Sequence, residues 1–225
     1  MRTIRVTGKG QIKVHPDTTR ITMDLKGTYP TYDETLRHSS EDTEQLKDVL
    51  TNFGFERADL KTLSFDIDTE YESYEEKHGT RKEYKRRLVG YRFSHRLKVE
   101  FGSDNERLGK ILYALANCSL QPELGISYTV KDPEAAKNEL LGEAVADAGK
   151  KAEVMARAAG LTLREIQSID YSWSEINFDF SPGILLSASD MLYDRSASLK
   201  NSYAMDIEPD DIEAADTVTV VWEIE

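Results

Sequence analysis

The stretch LKTLSFDIDTEYESYEEKHGTRKEYKRRLVGYRFSHRLKVEF, Leu60–Phe101, decides the fold. It contains two long alternating runs. Leu63, Phe65, Ile67 and Tyr71 share one parity on the first, about Leu60 to Tyr74. Tyr91, Phe93, Leu97 and Val99 share it on the second, about Tyr84 to Phe101. Such alternation marks strands buried on one face. KHGT, Lys77–Thr80, separates the runs and reads as the turn of an antiparallel hairpin. Keeping both apolar sets on one face places Phe65 opposite Phe93, Ile67 opposite Tyr91, Asp66 opposite Arg92 and Glu72 opposite Arg86, with the turn centred on Gly79.

Working outward, a helix precedes the hairpin from about Tyr32 to Phe53. Its stripe is Leu36, Ser39, Thr43, Leu46, Leu50 and Phe53, and Gly54 is its stop. A shorter helix follows, where Ser103 and Glu106 form a capping-box pattern ahead of Leu108, Ile111, Leu112 and Leu115. Strands from about Arg20 to Thr28 and Glu123 to Val130 close the set. The order is strand, helix, strand, strand, helix, strand. That predicts an α+β fold with a ferredoxin-like βαββαβ unit over residues 18–131, an antiparallel sheet carrying both helices on one side. Residues 1–17 and 132–225 then make a second α+β part.

In that second part, Ile4, Val6, Ile12 and Val14 alternate along a first strand, and Gly8-Lys9-Gly10 reads as a bulge or kink. A long helix covers Pro133 to Gly160. Leu141, Val145, Ala148, Ala152, Met155 and Ala159 trace one face of it, and their small size admits a close neighbour. Asp147 and Lys151, and Glu153 and Arg157, form i,i+4 pairs on the outside. The helix is therefore read as a spine, not a reactive surface. A strand from about Glu165 to Trp173 and another from Ile212 to Ile224 complete the part. Between them, Ser174 to Ala204 is poorly patterned, with Met191, Leu192 and Tyr193 as its anchors.

EAVADAGKKAEVMARAAGLTLREIQSI, from Glu143, resembles the alanine-rich helix and following strand of the SIMPL-domain family. IRVTGKGQIKVHPDTTRITMDL resembles that family's opening, and IEPDDIEAADTVTVVWEIE its closing segment. The matches span nearly the whole chain. The resemblance implies a ferredoxin-like part with a second α+β part, a tendency to homo-oligomers and a link to stress defence. It implies no enzymatic activity and no catalytic residues.

Composition narrows the function classes. The chain has 225 residues, a formal net charge of -12 and one cysteine, Cys118, so no disulfide can form within it. A field of that sign repels phosphate backbones and makes nucleic acid an unlikely partner. No segment approaches the ~18 consecutive apolar residues of a membrane span. The N-terminus, MRTIRVTGKGQIKV, has no apolar core of a signal peptide, so the expected location is cytoplasmic, or periplasmic for a chain whose signal has been removed.

No motif carries a reaction. His15, His38, His78 and His95 fall in a turn, on a helix, at the hairpin tip and on a strand, with no metal-ligand spacing. His95 reads as a packing residue and Cys118 as a small apolar one. VTGKGQ lacks the spacing of a phosphate loop. No catalytic, cofactor or metal residue is assigned. The candidate interaction site is the hairpin, through Tyr74, Arg81, Lys82, Tyr84, Lys85, Arg86 and Arg87. Its bases face Asp66, Asp68, Glu70, Glu72, Glu75 and Glu76, so cross-strand pairing neutralises much of the patch. The expectation is a non-enzymatic protein acting through self-assembly or protein contacts, in a stress setting taken from the resemblance. A small-molecule or enzymatic pocket between the two parts, and RNA binding through the hairpin, are the alternatives.

Overall fold

The computed structural model describes residues 2–78, 81–171, 178–179, 185–186 and 208–225; at 77–78, 81–83 and 185–186 it describes the main chain alone. The expected anchors Met191, Leu192 and Tyr193, and the turn centre Gly79, lie outside the described residues. In chain order the elements are β1 Arg2–Val14, β2 Thr18–Tyr29, α1 Tyr32–Thr51, β3 Lys61–His78, β4 Arg81–Gly102, α2 Asn105–Asn117, β5 Glu123–Thr129, α3 Pro133–Ala158, β6 Leu163–Asp170, β7 Leu185–Leu186 and β8 Ile212–Ile224. The chain divides into two compact units. One contains Met1–Thr18, Tyr128–Phe180 and Pro209–Glu225, the other Thr19–Ser127 and Ser181–Glu208.

The second of these units contains a sheet in the order β3-β4-β2-β5-β7. Its first four strands have the ferredoxin-like order, with the hairpin at one edge. Ile21, Met23 and Leu25 of β2, Phe93, Leu97 and Val99 of β4, and Leu124 and Ile126 of β5 are buried. They meet Leu46 and Leu50 of α1 and Leu108, Ile111, Leu112 and Leu115 of α2, which are buried too. Full burial of each such side chain contributes about 1.5–3 kcal/mol. The opposite sheet face is polar: Arg96 bonds Asp24 through Nε at 2.8 Å and Nη2 at 3.0 Å, and Arg20 Nε donates to Glu100 at 2.6 Å.

Local chemistry sets the helix starts. Thr31 caps α1, its hydroxyl accepting from Glu34 N at 3.3 Å. Asp132 caps α3 ahead of Pro133, where a missing N–H costs nothing. At α2 the cap is Asp104, accepting from Arg107 N at 2.9 Å, not Ser103. A carboxylate outcompetes the neighbouring hydroxyl at the positive end of a helix. Leu36, expected in the stripe of α1, is exposed, and Thr35 is buried in its place.

The hairpin register also departs from expectation. Phe65 pairs with His95, Ile67 with Phe93 and Asp68 with Arg92, two residues along from the predicted match. A slip of two keeps Phe65 and Phe93 on one face, so periodicity alone does not resolve it. Shifts between Thr62 and Ser64 and between Glu70 and Tyr71 then move the pairing by one residue, and Glu72 faces Arg87 instead of Arg86.

In the other unit the sheet order is β1-β8-β6, with α3 packed on one face. Val6, Val218, Val220 and Trp222 bury against Ala144, Ala148 and Ala152. Ile12, Ile212 and Ala214 bury with Ala136, Leu140 and Phe178. The buried stripe of α3 is Ala136, Leu140, Ala144, Ala148, Ala152 and Ala156, a strict four-residue step. Met155 is exposed and Ala159 lies outside the stripe, correcting the sequence reading; Leu141 and Val145 flank it, partly buried. A four-residue step gains about 40° on each helical turn. The stripe therefore winds gradually round the helix, as packing over a twisted sheet requires.

Gly8 and Gly10 explain why the stripe is so small. β1 and β8 pair without interruption from Arg2 opposite Ile224 to Val14 opposite Ile212, so there is no bulge. A Cβ on Gly8 would stand 2.0 Å from the Ala144 carbonyl oxygen, and one on Gly10 would stand 2.1 Å from that of Leu140. The glycines let the α3 backbone rest almost directly on the strand.

Candidate interaction site

The site begins where β2 stops. β2 ends at Tyr29, and Gly90 of β4 abuts that end: a Cβ on Gly90 would lie 2.2 Å from the Tyr29 carbonyl oxygen. Up to Gly90, β4 runs between β3 and β2. Beyond it, residues 71–78 and 81–89 continue as a two-stranded ribbon, because the neighbouring strand has turned away. The register shift between Glu70 and Tyr71 sits at the base of this arm and leaves Val89 as the extra residue. Such a bulge sharpens twist and re-aims the strands that follow.

The arm has two unlike faces. On one, Arg87 donates to Glu72 Oε2 through Nη2 at 2.7 Å and Nε at 3.0 Å, its guanidinium lies 5.9 Å from the Tyr74 ring centre, and Lys85 pairs with Glu76. The hydrogen bond and charge of Glu72 raise the pKa of Arg87, and those of Glu76 raise that of Lys85. On the other face Tyr71 stands opposite Leu88, Ser73 opposite Arg86 and Glu75 opposite Tyr84. The apolar side chains of this face stand open among Ser73, Glu75 and Arg86: Tyr84 is 75% exposed, Tyr71 55% and Leu88 50%.

The arm therefore brings Tyr74, Lys85 and Arg87 together on one face and places Tyr84 and Arg86 on the other. For Arg81 and Lys82 the main chain is described, paired with His78 and Lys77. Among the described residues Arg86 has no ion-pair partner. The exposed Tyr71, Leu88 and Val89 escaped the sequence reading, which counted Tyr71 towards the core. The length of both strands, which on sequence grounds makes the tip from Tyr74 to Tyr84 project, carries them past the end of β2 and leaves these three without cover among the described residues.

The histidines do not converge. His15 Nδ1 lies 3.0 Å from Asp211, His38 stacks on Tyr29 at 4.1 Å between ring centres, and His95 is buried. His95 is satisfied on both nitrogens, by Thr43 Oγ1 at 3.1 Å and Thr62 Oγ1 at 2.9 Å, with Phe65 packed edge-on. Burial, helped by the charge of Lys47, lowers its pKa, so the ring is held neutral. This is a packing residue. Cys118 donates its S–H to the Leu115 carbonyl at 3.0 Å, at the end of α2. Among the described residues no group of three or more His, Cys, Asp and Glu side chains is placed to hold a metal ion. No described helix is long and apolar enough to cross a membrane.

Fold and arm together define an α+β protein with a ferredoxin-like sheet and a ribbon extending from it. The chain belongs to the SIMPL family, described as protein of unknown function (DUF541), which it matches over residues 4–222. It is 27% identical over 166 residues to the 26 kDa periplasmic immunogenic protein of Brucella abortus (strain S19), covering 74% of this chain and 65% of that protein. To the protein of the same name from Brucella melitensis biotype 1 it is 26% identical over an equal span. The matched span is thus somewhat under two thirds of each relative. Both relatives are named as periplasmic, against the cytoplasmic expectation drawn from the N-terminus.

Proposed function

We propose that this protein acts through protein contacts made by the β3–β4 arm, self-association first among them, and carries out no reaction of its own. The observation that supports this reading is the arm itself. It is a two-stranded ribbon with exposed Tyr71, Tyr84 and Leu88 on a single face. An isolated ribbon buries too little to be stable alone, and exposed aromatic side chains are enriched where proteins meet. RNA recognition draws less support, since Lys85 and Arg87 are engaged by Glu76 and Glu72. The stress setting remains part of the proposal, carried by the family resemblance. Cell fractionation discriminates between the cytoplasm and the periplasm of the named relatives.

The test removes Glu75–Glu83 and recloses the strands with Asn-Gly. Light scattering should give an oligomeric mass for the parent and a lower mass for the shortened, folded variant. A parent that runs as a 25.5 kDa monomer at micromolar concentration, or a shortened variant that keeps the parent's mass, overturns the reading.

A further inference from the structure

The arm has two edges as well as two faces, and the edges carry opposite charge. Among the described residues β3 is the terminal strand of its sheet, with no strand on its outer side. β4 loses its second neighbour at Gly90, so among the described residues no strand pairs its far side within the arm. From Glu70 to Glu76 every charged residue of β3 is an acid, Glu70, Glu72, Glu75 and Glu76, and from Tyr84 to Arg87 every charged residue of β4 is a base, Lys85, Arg86 and Arg87; Lys77 of β3 and Glu83 of β4 depart from this nearer the tip. An unpaired strand edge is a template for another strand, and its charges decide which strand is admitted.

Three ways exist to join two such arms by their edges. β3 against β3 sets acids beside acids, and β4 against β4 sets bases beside bases; both juxtapose like charges. β3 against β4 sets acids beside bases. With the two arms pointing the same way, β3 of one copy runs antiparallel to β4 of the next, the same alternation that the hairpin already has. It also leaves the faces that carry Tyr71, Tyr84 and Leu88 of successive arms on one side of a growing sheet.

Resting on the reading that the arm is the contact element, we infer that its partner is a second copy of this chain, joined edge to edge with the acidic β3 of one arm against the basic β4 of the next. The contact is heterologous: each arm gives one edge and receives the other. Repetition therefore closes into a ring or extends as a filament. Lys85 and Arg87 then lie between an acid of their own chain and one of its neighbour, and Arg86, opposite Ser73 in its own arm, gains an acid from the neighbour.

The test uses full-length variants whose two strands carry net charge of one sign. Glu72→Lys, Glu75→Lys and Glu76→Lys together make β3 basic like β4; Lys85→Glu, Arg86→Glu and Arg87→Glu together make β4 acidic like β3. Each alone should run at the monomer mass in light scattering with circular dichroism unchanged. Mixed in equal amounts at low salt, they should regain the parent's mass, and fall apart again as salt screens the edges. A third variant carrying all six changes swaps the edges and should assemble by itself. If the arm deletion lowers the mass while both single-sign variants keep the parent's mass, the edge pairing is wrong and the arm reading stands. If the folded single-sign variants are monomeric but neither the mixture nor the six-fold swap recovers the parent's mass, charge sorting does not direct the contact and the inference is likewise overturned.

Discussion

The two sheets treat an exposed edge in opposite ways. In the three-stranded sheet, β1 is an edge strand, and α3 seals it from within the chain. Lys9 N donates to Asp147 Oδ2 at 2.7 Å, Gln11 N donates to Glu143 Oε2 at 3.3 Å, and Lys151 Nζ reaches the Thr7 carbonyl at 3.4 Å. The spacing makes this work: four helical residues rise about 6 Å and two strand residues about 6.8 Å, so side chains at 143, 147 and 151 keep step with backbone at 11, 9 and 7. In the other sheet no described helix lies beside the arm, and charges stand along both strands. Among the described residues one edge is closed by its own chain and the other is not.

The comparison breaks most severely if α3 is lifted from its sheet. Ala152→Glu forces a carboxylate into a fully buried position and should cost roughly 3–5 kcal/mol in urea unfolding. Lys151→Glu, one residue away on the exposed side, should cost far less. Equal losses would mean that α3 presents a different face to the sheet. Gly8→Ala comes next, at roughly 2–3 kcal/mol, because its methyl collides with helix backbone. Gly149→Ala, where a Cβ meets nothing within 4 Å, should instead add about 0.5–1 kcal/mol. A neutral Gly8→Ala would show that the helix does not depend on that close approach.

pH sharpens the comparison at smaller amplitude. Asp147 is held below its ordinary pKa by Lys151 first and by the Lys9 amide next. Its stabilisation is full above the unfolded carboxylate pKa and is lost as pH falls through the lower folded value. Asp147→Ala should flatten that acid limb of the melting curve. His95 has a folded pKa below the ordinary 6.5, so the unfolded chain takes up its proton first. Stability should decline as pH drops from about 6.5 towards the folded value, and His95→Gln should remove that slope. The smallest effect belongs to the arm: Arg87→Ala should leave the melting temperature unchanged while weakening association. A large melting shift would mean that the arm is part of the folded core.

Much of the fold was legible in advance because it rests on local periodicity. Alternation in Ile21, Met23 and Leu25, or in Val218, Val220 and Trp222, follows from a strand's two-residue repeat, and buried faces followed with it. Element order then led to the ferredoxin-like sheet. The candidate arm was located by its charges, yet the apolar face of β3 was misread: Ile67 is only partly buried, and Leu63, Phe65 and Tyr71 of the same parity are exposed, because β3 is the outermost described strand and the helices do not cover it.

What the sequence determined by itself is therefore which residues form each element, where most elements stop, and which residues of a strand share a face. Each depends on backbone geometry within a few neighbouring residues. Tertiary structure alone decided the hairpin register, the role of Gly8 and Gly10, the true stripe of α3 and the difference between a sealed and an open edge. Those depend on pairs such as Gly8 with Ala144 or Gly90 with Tyr29, far apart in the chain. Their energies come from close packing and hydrogen-bond distance, which no periodicity within one segment encodes.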